Sequence, residues 1–170
     1  MAALPVIWLG LMYVPFLLGF LLLIRALPGG PAWMVYLLGM TWAVDAGGYF
    51  VGKGLGRHKM APVLSPGKTW EGAVGGGIAG VGFSLLAGRF LPGTHPGAEM
   101  WLIGLLLSVT GQVGDLAESV FKRQAGVKDS GHLLPGHGGM LDKVDSLLFN
   151  APVLYGVLVF YEGFSSPVIV

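Results

Sequence analysis

Between Gln112 and Ser146 the chain sets four basic residues, five acidic ones and two histidines within 35 positions. Asp115, Asp142 and Asp145 are carboxylates of the kind that bind a hard cation such as magnesium, which usually keeps some waters and takes one or two carboxylates plus substrate phosphates. Asp142 and Asp145 are three residues apart, so on a helix they share a face. Lys122, Arg123, Lys128 and Lys143 surround these acids, together with the turn Gly136-His137-Gly138-Gly139. Lysine and arginine neutralise phosphates, and a glycine-rich turn lets backbone amides approach an anion. His137 either donates hydrogen bonds or fixes that turn. An N-cap role for Asp142 and a helix-dipole role for Asp145 also account for those two acids. They leave Asp115 unexplained.

Two upstream stretches add polar groups. Thr41, Asp45, Gly48, Tyr49 and Gly52 fall on one helical face by their spacing, and an acid inside an apolar helix marks a functional position by default, the alternative being a carboxylate paired with a lysine for helix packing. Farther on, Gly67-Lys68-Thr69 invites a phosphate-loop reading, but position 62 holds Pro62 where that loop needs glycine. No strand is expected before it either. Ser65, Lys68 and Thr69 remain as phosphate contacts on a rigid turn, and Trp70 reads as an interfacial anchor.

These residues need an unusual scaffold. Hydrophobic residues make up 54% of the 170 positions, charged residues 11%, and the mean hydropathy is +0.72. A soluble domain carries about 25% charged residues. The chain therefore reads as all-α, a polytopic membrane helix bundle forming a single domain over 1–170. Five segments, at about 4–27, 32–52, 72–91, 99–119 and 145–164, approach the roughly 20 apolar residues that a span needs. The first lacks the basic start of a signal peptide and is too long for one. In the third, Gly72, Gly76, Gly80, Ser84 and Gly88 recur every fourth residue as a groove for close helix packing, which allows a homodimer through that face. In the fourth, Gln112, Asp115, Ser119 and Lys122 follow a 3-4-3 spacing with Glu118 beside them. Eight of the ten lysines and arginines fall in the loops at 53–71 and 120–144. The positive-inside tendency puts both polar loops on the cytoplasmic face of the cell membrane. With no cysteine there is no disulfide and no thiolate metal site. No nucleic-acid partner is expected.

The motifs also carry a likeness. Ser119-Val120-Phe121-Lys122-Arg123, then Lys128-Asp129, then Leu134 to Met140 and Asp142-Lys143-Val144-Asp145 resemble the signature of phosphatidate cytidylyltransferases. Asp45-Ala46-Gly47-Gly48-Tyr49 and Ser65 to Gly72 are similar to two further motifs of that family. Lys143 stands where the signature usually has arginine, which keeps the charge without the bidentate geometry. The resemblance is to a short or amino-terminally truncated member, since the family typically carries several more spans at that end. It implies transfer of a cytidylyl group from CTP to phosphatidate, dependent on magnesium, with potassium as an allowed companion ion. By position, Asp115, Asp142 and Asp145 would hold the metal, while Ser119, Lys122, Arg123 and Lys128 would surround phosphates. Asp45 and Tyr49 would line the way to the lipid headgroup. Competing readings are a CTP-dependent polyprenol or lipid kinase, an ion or phosphate transporter, and a non-catalytic fragment.

Overall fold

The computed structural model describes the backbone of residues 3–91, 97, 99–124 and 141–165, with side chains at 15–91, 97, 99–124 and 146–160. Among the described residues five helices form: α1 (Ala3–Ala26), α2 (Gly30–Leu55), α3 (Trp70–Phe90), α4 (Glu99–Gln124) and α5 (Leu141–Ser165). They cover the five apolar segments to within a few residues. Helices α2, α4 and α5 run a few residues into the polar flanks; the extension of α4 carries Lys122, Arg123 and Gln124, which are good helix formers. The turn before α2 pivots on Gly29, whose φ of 70° is the left-handed conformation that glycine adopts without penalty.

The loop between α2 and α3 departs from the expected turn. Lys59–Ala61 (β1) and Ser65–Thr69 (β2) pair antiparallel, with Lys59 opposite Thr69 and Ala61 opposite Ser65. A strand thus does lead into α3, but Gly67-Lys68-Thr69 lies within the strand. The phosphate-loop reading still fails at Pro62.

The bundle is tied most closely along α2 and α3, and α3 packs in turn on α4, α4 on α5, α5 on α1 and α1 on α2. The small-residue face of α3 is buried at Gly72, Gly76, Gly80, Ser84 and Gly88, as its period predicts. Its partner is α2 of the same chain. A Cβ on Gly72 would lie 2.9 Å from the Gly48 carbonyl oxygen, and one on Gly76 would lie 2.9 Å from that of Val44. One on Gly80 would meet Ser108 Oγ of α4 first and Met40 of α2 at 2.7 Å. The fourth step is a hydrogen bond, Tyr36 Oη to Ser84 Oγ at 2.8 Å. Ser84 spends its own hydrogen on the Met100 carbonyl of α4 at 2.5 Å, so Tyr36 is the donor. Each step advances four residues along both helices. The small-residue face read as allowing a homodimer thus packs within the chain along these contacts.

Tyr36, Leu37, Met40, Met100, Leu107, Ala151 and Leu154 form the middle of the core, all with 1% exposure or less. The perimeter is the reverse of a soluble surface: Trp42, Phe50, Leu86 and Phe90 are 60–77% exposed. Such a surface suits membrane association. Among the described residues, Trp70–Phe90 and Glu99–Gln124 are long and apolar enough to cross a membrane, and Pro15–Ala26 and Ser146–Phe160 are shorter apolar stretches. Helix α2 is not among them, because Asp45 and its glycines, tyrosines and tryptophans lower its mean hydropathy.

Two substitutions in α3 separate packing from composition. Gly76→Leu drives a side chain into the α2 backbone and is expected to destabilise the protein by about 1–3 kcal/mol. A Cβ on Gly82 meets nothing within 4 Å, so Gly82→Leu should leave stability unchanged. Thermal melts in detergent read both, and equal melting temperatures would refute the α2–α3 contact.

Candidate functional site

The close α2–α3 approach leaves a cleft of about 580 Å³ at the end of the bundle where α2 finishes and α3 begins. Asp45, Tyr49 and Lys53 line it from α2, Lys59 from β1, Ser65, Lys68 and Thr69 from β2, and Gln112 and Asp115 from α4. Three lysines thus face two aspartates. The stripe read on α2 is the reason Asp45, Gly48, Tyr49 and Gly52 all reach it. Lys53 continues that stripe by one turn, donating to Tyr49 Oη at 3.2 Å and lying 5.4 Å from the ring centre.

The hairpin is held rigidly over α3. Thr69 is the N-cap: its Oγ1 accepts from Gly72 N–H at 3.1 Å, one of the donors a helix start leaves unpaired. Trp70 N–H donates to the His58 carbonyl at 3.0 Å. His58 Nδ1 lies 2.6 Å from Glu71 Oε1, and the His58 amide donates to the same carboxylate at 3.2 Å. The hairpin also meets α4. Lys68 Nζ pairs with Asp115 Oδ2 at 2.5 Å, both side chains partly buried. Arg123 donates its Nε–H to the Leu64 carbonyl at 3.2 Å. Below the ion pair, Gln112 Nε2 donates to the Ala73 carbonyl of α3 at 3.3 Å and to the Ser108 carbonyl at 3.0 Å. A lysine paired with a carboxylate in a partly closed cleft is a charge reserve: an entering anion can take the lysine, and an entering cation the aspartate.

Six residues singled out in the sequence come together here: Asp45, Tyr49, Ser65, Lys68, Thr69 and Asp115. Thr69 is committed to its cap as an acceptor, which leaves its hydroxyl hydrogen to donate. Ser119, Lys122 and Arg123 are not part of the cleft lining. Ser119 is buried in the helix packing, Lys122 Nζ lies 2.8 Å from Glu118 Oε2 one turn back, and Arg123 serves the hairpin turn. Lys128, His137, Gly138 and Gly139 fall outside the described residues. Asp142, Lys143 and Asp145 belong to the first turns of α5, with side chains outside the description. Their backbone is nevertheless located: Gly114 packs against Phe149, one turn beyond Asp145, so the start of α5 lies at the Asp115 end of α4. Lys53, Lys59 and Gln112 were missed as site residues. Lys53 was signalled by its four-residue step from Tyr49. Lys59 had no such local signal, because it enters through strand pairing.

Residues 1–161 match the cytidylyltransferase family. The chain belongs to that family. Similar proteins include the phosphatidate cytidylyltransferase of Brucella suis biovar 1, 49% identical over 130 residues, which are 75% of this chain and 47% of that protein. The phosphatidate cytidylyltransferase of Bacillus subtilis is 44% identical over 133 residues, covering 78% of this chain and 49% of the relative. That of Staphylococcus saprophyticus is 42% identical over 142 residues, covering 84% and 55%. The chain spans about half the length of the curated relatives it matches. The recognition of this family from the two aspartate-bearing motifs and the Ser65 to Gly72 stretch therefore stands.

The donor set suits a hard cation. Asp45 and Asp115 reach one cleft from facing helices, hydroxyl and amide oxygens surround them, and the chain has no cysteine. Among the described residues no three acids or histidines gather into a complete metal site. A full set would draw on the start of α5.

Replacing the cap gives a direct check on Thr69. Thr69→Ala should cost about 1 kcal/mol of stability, and Thr69→Ser should restore most of it. An unchanged unfolding midpoint in Thr69→Ala would refute the cap.

Proposed function

We propose that this chain transfers the cytidylyl group of CTP to phosphatidate, giving CDP-diacylglycerol and pyrophosphate. The observation that carries the reading is the cleft in which Lys68 of the hairpin meets Asp115 of α4, with Lys53, Lys59 and Asp45 around it, in a chain of this family. The relatives named phosphatidate cytidylyltransferase support it.

The nucleophile is a phosphate oxygen of the lipid, already ionised, so no strong base is required. It attacks the α-phosphorus of CTP in line. One P–O bond forms there as the bond to the bridging oxygen breaks, and pyrophosphate leaves with that electron pair. The main obstacle is repulsion between two anions, and the protein's task is to position and neutralise them. Lys68 exchanges Asp115 for a substrate phosphate, while Lys53 and Lys59 hold the remaining negative charge. Asp115, together with Asp142 and Asp145 at the start of α5, would hold magnesium, with potassium as an allowed companion. When bound, the metal supplies charge neutralisation for the transferring and departing phosphates. By the family resemblance, Lys128, Lys143, His137 and the Gly138-Gly139 turn would contact the nucleotide, and Lys122 and Arg123 would join them only by leaving Glu118 and the Leu64 carbonyl.

The surroundings follow from the same reading. On this reading the helices lie as five spans in the cell membrane, and the excess of lysine and arginine at 53–71 and 120–144 supports a cleft open to the cytoplasm, where CTP would be dissolved.

CTP labelled at the α-phosphate tests the reaction. With magnesium and phosphatidate the label should appear on lipid, and without magnesium it should not. Lipid labelled only from γ-labelled CTP would mean a lipid kinase instead. Asp142→Asn and Asp145→Asn should each lower turnover on the order of 100-fold, the scale for losing one element of charge stabilisation. Full activity in both would remove them from the metal site.

A further inference from the structure

Beside the polar cleft, an apolar groove of about 670 Å³ runs along the seam of α3 and α4. The two are continuous, since Met60, Ala73 and Gln112 line both. Val74 and Ile78 of α3 and Val109 and Val113 of α4 wall the groove, and each is more than half exposed. The polar side chains of α4 that reach it are already engaged. Ser108 Oγ donates to the Gly104 carbonyl at 2.7 Å, and Gln112 bonds the Ser108 and Ala73 carbonyls. Hydrocarbon can therefore lie there without stranding a hydrogen-bonding group.

Gly77 also lines the groove, and it differs from its neighbours Gly76 and Gly80 on α3. A Cβ on Gly76 or Gly80 would strike α2, whereas one on Gly77 would meet nothing within 4 Å. Close helix approach does not account for Gly77. What its missing side chain provides is room in the groove.

We propose that this groove holds an acyl chain of the lipid whose phosphate occupies the cleft. The inference rests on the lipid-substrate reading above and adds the location of the hydrocarbon. A phospholipid joins an anionic head to apolar chains through a short glycerol. A site for it must present a basic cleft and an apolar trough that share an edge. Met60, Ala73 and Gln112 form that edge here. Trp70, the first residue of α3, lines the groove at its cleft end and suits the boundary between head and chain.

The test uses phosphatidate with a photoreactive diazirine in one acyl chain, irradiated with the purified protein in detergent, with adducts mapped by mass spectrometry. Adducts on Val74, Ile78, Val109 or Val113 are expected, competed by unlabelled phosphatidate and not by phosphatidylcholine. Filling the groove by Gly77→Phe, or from the other wall by Val109→Trp, should reduce this labelling roughly tenfold, the scale of overpacking a formed site. Gly82→Phe, in open space on the same helix but outside the groove, should not reduce it. Adducts spread instead over the outer faces at Phe50, Leu86 and Phe90 would overturn the proposal. So would competition by phosphatidylcholine as effective as by phosphatidate, which marks a surface for bulk lipid, or a cross-linked second copy in place of lipid. Groove labelling that persists while no α-label passes from CTP to lipid would count against the transfer reaction and still support the groove.

Discussion

Helices α2 and α3 touch through backbone. Where Gly72 and Gly76 meet the carbonyls of Gly48 and Val44 there is no room for a side chain, so the axes are fixed by main-chain contact. Flexible side chains could adjust such a contact, but carbonyls and Cα atoms cannot. Everything at the functional end inherits this rigidity. The hairpin β1–β2 spans the gap between two helices whose spacing is set. Asp45 and Tyr49 on α2 therefore stand at a defined distance from Lys68 and Thr69 on β2. The Tyr36–Ser84–Met100 relay extends the same register to α4 at the far end of the seam.

Electrostatics then completes what packing begins. In apolar surroundings a lone charge is costly, and among the described residues Lys68 pairs with Asp115 and Lys122 with Glu118, while the exposed His58 contacts Glu71 at the hairpin base. The first pair differs from the other two in where it sits. Lys122 and Glu118 are neighbours one turn apart on a single helix, and His58 and Glu71 flank the hairpin base. Lys68 and Asp115 come from segments 47 residues apart and meet in the cleft. A pair that joins distant segments inside a cavity can report on what enters the cavity, whereas the other two mainly hold local structure.

Much of this was legible in the sequence, and the part that was not has a physical cause. The helices follow from apolar runs, and the small-residue face of α3 from a strict four-residue period. Asp45 and Tyr49 could be placed because a helix converts spacing into direction. Ser65, Lys68 and Thr69 could be placed because charge sidedness put their loop at the same end as Asp115. The hairpin was not legible: Ser65-Pro66-Gly67-Lys68-Thr69 is poor strand material, and its pairing with Lys59 depends on a partner in the neighbouring segment. Lys53 and Lys59 counted only toward the sidedness of their loop, because a lysine facing water and a lysine facing a cleft look alike in one dimension. Ser119 and Lys122 share a face with Asp115 by spacing, but local burial and the one-turn pairing with Glu118 engage them first.

Helix α3 carries two kinds of glycine, and this divides the protein's evolutionary freedom. On the face toward α2 a single methyl group collides with backbone, so that side of the helix is closed to variation. At Gly82, outside both the α2 seam and the groove, the space is open, and a larger residue can be accepted without moving another helix. A lineage can therefore reshape one flank of this helix by single substitutions while the geometry that aligns the charged cleft stays fixed.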